Sequence, residues 1–269
     1  MAEIRISDTV TILGPAHRGH VLVGGSHGGI YAGYLAAKAG ARGVILHNAG
    51  VGKDQAGLGS LAYLAELGMP AAVIDHQTAR IADGEDQLRR GMISHVNEIA
   101  AALGCATGQT CRATAEHMTK ATQWSAPAPE FGEARFLLRA AASEGAPEVW
   151  GVDSMSLLAA EDKRAVMITA SHGALFGSLA NKPIAGPPLA VIFNDAGIGI
   201  DNSGIARLPV LDGEGVIAAS VSAASARIGD ARSAWQSGIV SHANARAKAA
   251  GIAPGDDLKI FADKAIAAG

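Results

Sequence analysis

The chain has 269 residues, 49% hydrophobic and 17% charged, with a formal net charge of −3, which excludes a disordered tail and is enough for one large α/β domain or two smaller ones. Without a basic excess and with only 4% aromatic residues, it lacks the material to neutralise or stack on nucleic acid, so no nucleic-acid partner is expected. No run approaches the roughly 18 apolar residues of a membrane span, no basic-then-apolar leader is visible, and Cys105 and Cys111 lack the spacing of a redox or zinc pair, so a cytoplasmic protein with no membrane partner is expected.

The first strand signal covers residues 20–25. It runs into Gly24-Gly25-Ser26-His27-Gly28-Gly29, and a helix over 30–39 follows. A second strand is predicted over 43–48, then the glycine loop 50–59, a helix over 58–67, a third strand over 71–76 and a long helix over 85–103. Leu88, Met92, Val96, Ile99 and Leu103 give that last segment its helical spacing. Near-continuous apolar strands are those of a parallel sheet covered on both faces. The stretch 105–152 is turn-rich around Pro127 and Pro129, and Phe136, Leu137, Ala140 and Ala141 predict a connecting helix over 133–143.

The second half then restates the first. VLVGGSHGG (21–29) matches VMITASHGA (166–174), HNAGVGKDQAG (47–57) matches FNDAGIGIDNSG (193–204) with one insertion, and GMISHVN (91–97) matches GIVSHAN (238–244). Collinear matches of this kind predict a tandem duplication of a Rossmann-like parallel α/β unit, its two copies related by a pseudo-twofold axis. The expected division is repeat 1 over 8–104, carrying the active site, a connector over 105–152, a degenerate repeat 2 over 153–251 and a C-terminal helical tail over 252–269.

Ligands of open parallel sheets bind at the carboxyl ends of the strands. Repeat 1 places Ser26 and His27, His47 and Asn48, and Asp75 and His76 there, with Lys53 and Asp54 in the loop between. The alignment pairs Asn48 with Asn194 and leaves His47, Lys53, Asp75 and His76 facing Phe193, Ile200, Ser222 and Ala223, so the chemistry is expected in repeat 1. Ser94-His95 and Ser241-His242 fall mid-helix and are read as structural.

Gly24-Gly25-Ser26-His27-Gly28 also fits G-x-S-x-G, the turn that exposes a serine nucleophile. The leading expectation is a hydrolase of an amide or ester bond in a small polar metabolite. Ser26 attacks, His76 is its base, Asp75 or Asp54 orients the base, and Lys53 is an alternative base or a carboxylate anchor. Substrate binding is assigned to His27, Gly28, Gly29, His47, Asn48 and Gly50 and to Ser171, His172 and Asn194, with backbone N–H groups of 27–29 as the oxyanion hole. No cofactor is expected, the partner is the substrate, and self-association into a homo-oligomer is carried as an expectation. One alternative makes His27, His47, His76 and Asp75 the ligands of a metal that activates water for hydrolysis or lysis. Another is a non-catalytic protein that clamps a small anion.

Overall fold

The computed structural model describes every residue except Met1, Ala126, Ala180, Lys182, Pro183 and Ala185. The apolar runs form β2 (Val21–His27), β3 (Gly43–His47) and β4 (Ala71–Ile74), which pair in parallel. Strand β1 (Ile4–Ser7) adds in parallel outside β2, and β5 (Ile93–Val96) adds antiparallel outside β4, giving the order β1-β2-β3-β4-β5. The second sheet contains β6 (Arg135–Arg139), β7 (Val149–Val152), β8 (Val166–His172), β9 (Ala190–Asn194), β10 (Ile217–Val221) and β11 (Val240–Ala243). Its order is β11-β10-β9-β8-β7-β6, with β7 to β10 parallel and both outer strands antiparallel. The fold is therefore α/β with two mixed sheets, parallel at their centres.

Helices cover both faces of the sheets, which explains why the central strands are apolar throughout. On the first sheet, α1 (Ile30–Lys38) and α2 (Gly59–Glu66) pack on one side. On the other side lie α3 (Gly84–Arg90), α4 (Glu98–Ala102) and α5 (Cys111–Met118). On the second sheet, α6 (Arg207–Gly213) covers one face, and α7 (Ala231–Ser237), α8 (Ala245–Ala249) and α9 (Leu258–Ala268) cover the other. Among the described residues no helix is long and apolar enough to cross a membrane.

Two predicted helices are corrected. The segment 85–103 is α3, β5 and α4 in succession, so Ser94 and His95 lie in a strand. Gly91 takes extended backbone after α3, and α4 is started afresh by the Asn97 side chain, which accepts from Ala100 N–H. Across these three short pieces Leu88 is buried in the core, and Val96 and Leu103 are half-buried against it. The segment 133–143 holds β6, whose backbone bonds to β7 outweigh its helical spacing, and the missing side chain of Gly151 leaves room for the Phe136 ring. Cys105, Cys111, Ala115 and Met118 belong to the core of the first sheet, and Leu258, Phe261, Ala262 and Ala265 bury α9 in the core of the second.

The two glycine loops meet back to back. Gly50 (φ +74°) and Gly197 (φ +73°) are so close that a Cβ on either would lie 2.7 Å from the Cα of the other. Around this point the bonds are reciprocal: Lys53 N–H donates to Ala223 O and Ile200 N–H to His76 O. Asp54 pairs with Arg227, and Asp201 with Arg80 and Arg90. Asp54, Gln55, Asp201 and Asn202 all adopt left-handed backbone. Gly50, expected in substrate binding, is packed against the backbone of Gly197.

The alignment across this loop also shifts by one residue. His47 donates from Nε2 to Ala79 O and accepts Ala49 N–H on Nδ1. Asn194 donates to Ala226 O and accepts Ala196 N–H. Asn48 Oδ1 receives the N–H groups of Gly50 and His76, and Asp195 Oδ1 those of Gly197 and Ala223. His47 thus stands where Asn194 does, and Asn48 where Asp195 does. The insertion lies ahead of β9, not inside the loop.

Substituting Gly50→Ala should reduce unfolding free energy by about 2–4 kcal/mol in urea titrations, since the added methyl meets backbone at a left-handed position. Asp54→Asn, which tolerates the left-handed backbone, removes an exposed ion pair and should cost less than about 1 kcal/mol.

Candidate functional site

At the carboxyl ends of β2 and β8 the ladder skips. Pairing with β3 jumps from Val23 to His27, and pairing with β9 jumps from Ile168 to His172. Such an irregularity re-aims the side chains that follow it. Ser26, His27, Ser171 and His172 come together on one cleft of about 230 Å³, joined by Glu133, Tyr31, Phe176, Arg207 and two hydroxyl pairs, Thr9 with Thr11 and Ser154 with Ser156. An adjoining chamber of about 360 Å³ shares His27, Tyr31 and Glu133 and adds Ile30, Phe131, Asp153, Arg227 and Gly229. A larger groove beside Arg18, Lys38 and Trp124, of about 650 Å³, contains none of the expected site residues.

The two serines and two histidines have fixed hydrogen bonding. Ser26 Oγ accepts Val10 N–H at 3.0 Å, and Ser171 Oγ accepts Met155 N–H at 2.7 Å. Neither hydroxyl donates to an acceptor among the described residues, so each proton is free for the cleft. Gly29 N–H donates to Nδ1 of His27 at 3.1 Å, and Ala174 N–H to Nδ1 of His172 at 3.4 Å. An accepting Nδ1 places the proton of the neutral ring on Nε2. Burial keeps both rings neutral: it pulls His27 down to about 4, and it pulls His172 down to about 3 with help from nearby His27, Arg207 and His47.

Glu133 is the titratable group of the cleft that stands near neutrality. Burial pushes its carboxyl up to about 7; the Ser154 and Ser156 hydroxyls act against that shift and the Asp153 charge adds to it. A carboxyl so placed exchanges its proton at neutral pH, which suits a general acid or base.

The other expected site residues lie outside the 230 Å³ cleft, most of them bonded to backbone or to other side chains. Gly28 N–H donates to His47 O and Gly29 N–H to the His27 ring, so neither serves an oxyanion. The His47 ring is fully buried with both nitrogens used by backbone. His76 Nδ1 lies 3.1 Å from Asn48 Oδ1 and 3.2 Å from Asp75 Oδ1, and its ring packs on Gly197. His76 and Asp75 do not line the cleft, and no hydrogen bond joins His76 to Ser26 among the described residues. Lys53 Nζ donates to Ser237 Oγ, Asp54 lies at the rim of the adjoining chamber, and Asn194 and Asn48 tie loop backbone. Of the alternative metal ligands, His47 has no nitrogen to offer, and among the described residues no group of three or more His, Cys, Asp or Glu side chains is arranged to hold a metal ion.

Sequence reasoning missed Glu133 and Arg207, which lie outside the matched segments. It also passed over a visible signal: Asp8-Thr9-Val10-Thr11 follows the first strand as Asp153-Ser154-Met155-Ser156 follows β7, and both hydroxyl pairs reach the cleft. Comparison of the chain with protein-family models, with curated proteins and with solved structures gives no match.

His27, His47 and His172 stay neutral in the fold well below the ordinary value of 6.5 but take up protons when unfolded. The unfolded chain then binds more protons, so these rings make stability fall as pH drops from about 6.5 toward 4. Glu133 acts oppositely between its ordinary value of 4.5 and about 7. His47→Asn, which installs the side chain found at 194, should fold and lose less stability than wild type between pH 7 and 4.5, measured by urea midpoints.

Proposed function

We propose that the cleft is the active site of a hydrolase that opens an amide or ester bond of a small polar metabolite, with Glu133 as its acid–base group. The observation that carries this reading is the convergence of two Ser-His pairs and one carboxyl poised near neutrality on a single cleft. Glu133 takes a proton from water as the water oxygen attacks the carbonyl carbon. The Nε2–H groups of His27 and His172 and the hydroxyls of Ser26 and Ser171 face the oxyanion that forms. Its collapse breaks the bond to nitrogen or oxygen, and the leaving group receives the proton from Glu133, which restores the carboxylate.

The roles expected from the sequence are reassigned. A serine oxygen that already accepts Val10 N–H is a stronger donor and a weaker nucleophile, and among the described residues no hydrogen bond joins it to a base, so Ser26 is proposed as an oxyanion donor. His76, with Asp75, is proposed to brace the loop contact. We also propose that the halves are copies of one duplicated unit related by an approximate twofold; the reciprocal loop bonds and the recurring bonds of His47 and Asn194 support it.

Glu133→Gln should lower kcat by about 100-fold or more on the amide or ester that the protein hydrolyses. The wild-type rate should rise with pH through about 7, because the ionised form is the base. Ser26→Ala should cost about 10- to 100-fold and His76→Ala only a few-fold in steady-state assays. An acyl adduct on Ser26 seen by mass spectrometry would restore the serine mechanism.

A further inference from the structure

Arg207, the first residue of α6, is 5% exposed and lines the cleft. Its Nη2 donates to Ala174 O at 2.9 Å, while Nε has no partner. Among the described residues no carboxylate forms an ion pair with it, and Glu214 acts only from longer range. The residues not described, Met1, Ala126, Ala180, Lys182, Pro183 and Ala185, carry no acidic side chain. Burial pulls the guanidinium below its ordinary value, yet arginine keeps its proton in proteins. A buried cation without a counter-ion is a standing cost that packing alone does not explain.

The corresponding position of the first half carries a serine. Ser60 N–H donates to Gly28 O as Arg207 N–H donates to Gly173 O, so Ser60 stands where Arg207 does. The scaffold folds with a small hydroxyl at this place; the cation is an addition on one side of the cleft.

We propose that Arg207 is the counter-ion for a carboxylate of the substrate, so that the molecule processed is a compact monocarboxylic acid carrying a second, reacting carbonyl. The identity of the reacting group rests on the hydrolase reading; the anion site does not. A guanidinium fork matches a carboxylate in shape and charge. One cation balances one negative charge, whereas a phosphate dianion would leave an excess beside Glu133 and Asp153. The cleft volume of about 230 Å³ keeps the acid small.

The test is thermal unfolding of the full chain with butyrate, N-acetylglycine, inorganic phosphate or chloride at equal ionic strength. Butyrate and N-acetylglycine should raise the wild-type Tm saturably, and chloride should not. Arg207→Met should melt higher than wild type without ligand and bind both acids at least about 30-fold more weakly. Arg207→Gln repeats the binding test should Arg207→Met misfold, and Glu133→Gln should keep the carboxylate shift. Carboxylate shifts unchanged in both Arg207 variants, or a larger shift with phosphate than with the acids, would overturn the proposal. A shift that depends on Arg207 without turnover of any small N-acyl or ester acid would leave the anion site standing and sink the hydrolase reading.

Discussion

The contact of Gly50 with Gly197 is the constraint on which the site depends. Two backbones can approach so closely only where neither carries a side chain, and each loop reaches that point through left-handed residues. The approach lets Lys53 N–H and Ile200 N–H bond across to Ala223 O and His76 O. It brings Asp54 and Asp201 against arginines of the opposite half. The same junction brings the ends of β2 and β8 to one cleft, so that Ser26-His27 and Ser171-His172 share it.

Around this junction the two halves are used unequally. In the first, α1 follows β2 directly; in the second, the described residues after β8 form no helix, and Ser178 and Leu179 reach across to the Asp8 carboxylate instead. Their N–H and O–H bonds hold Asp8 below the usual carboxylate range despite its burial. The corresponding Asp153 binds Ala231 N–H and Ala134 N–H and borders the open chamber beside Glu133. One side of the interface is thereby filled and the other left open, and Glu133 and Arg207 give the cleft a polarity that a symmetric pair of halves would lack.

Burial governs the chemistry of this cleft more than pairwise charge does. It keeps His27 and His172 neutral, with Nδ1 accepting backbone N–H and Nε2–H left as the donor, and it raises Glu133 to where a proton can move both ways. Arg207 cannot answer burial by losing its proton, which makes it the group that an anion relieves.

The sequence by itself determined the central strands, the recurrence of Ser-His after the first long strand of each half and the place of the glycine loops, because each is written in local residue type: apolar runs and closely spaced glycines. It did not determine the outer strands. β5 and β6 carry helical spacing in their apolar residues and become strands only because an edge of backbone N–H and C=O groups is there to pair with. Nor did it separate scaffold from site. His76, Asp75, Lys53 and Asp54 carry the residue types of catalysis but do not line the cleft with Ser26, while Glu133 and Arg207 enter from outside the matched segments. Which polar groups share a cleft depends on how two sheets far apart in the chain are set against each other, and that relation exists only in the tertiary structure.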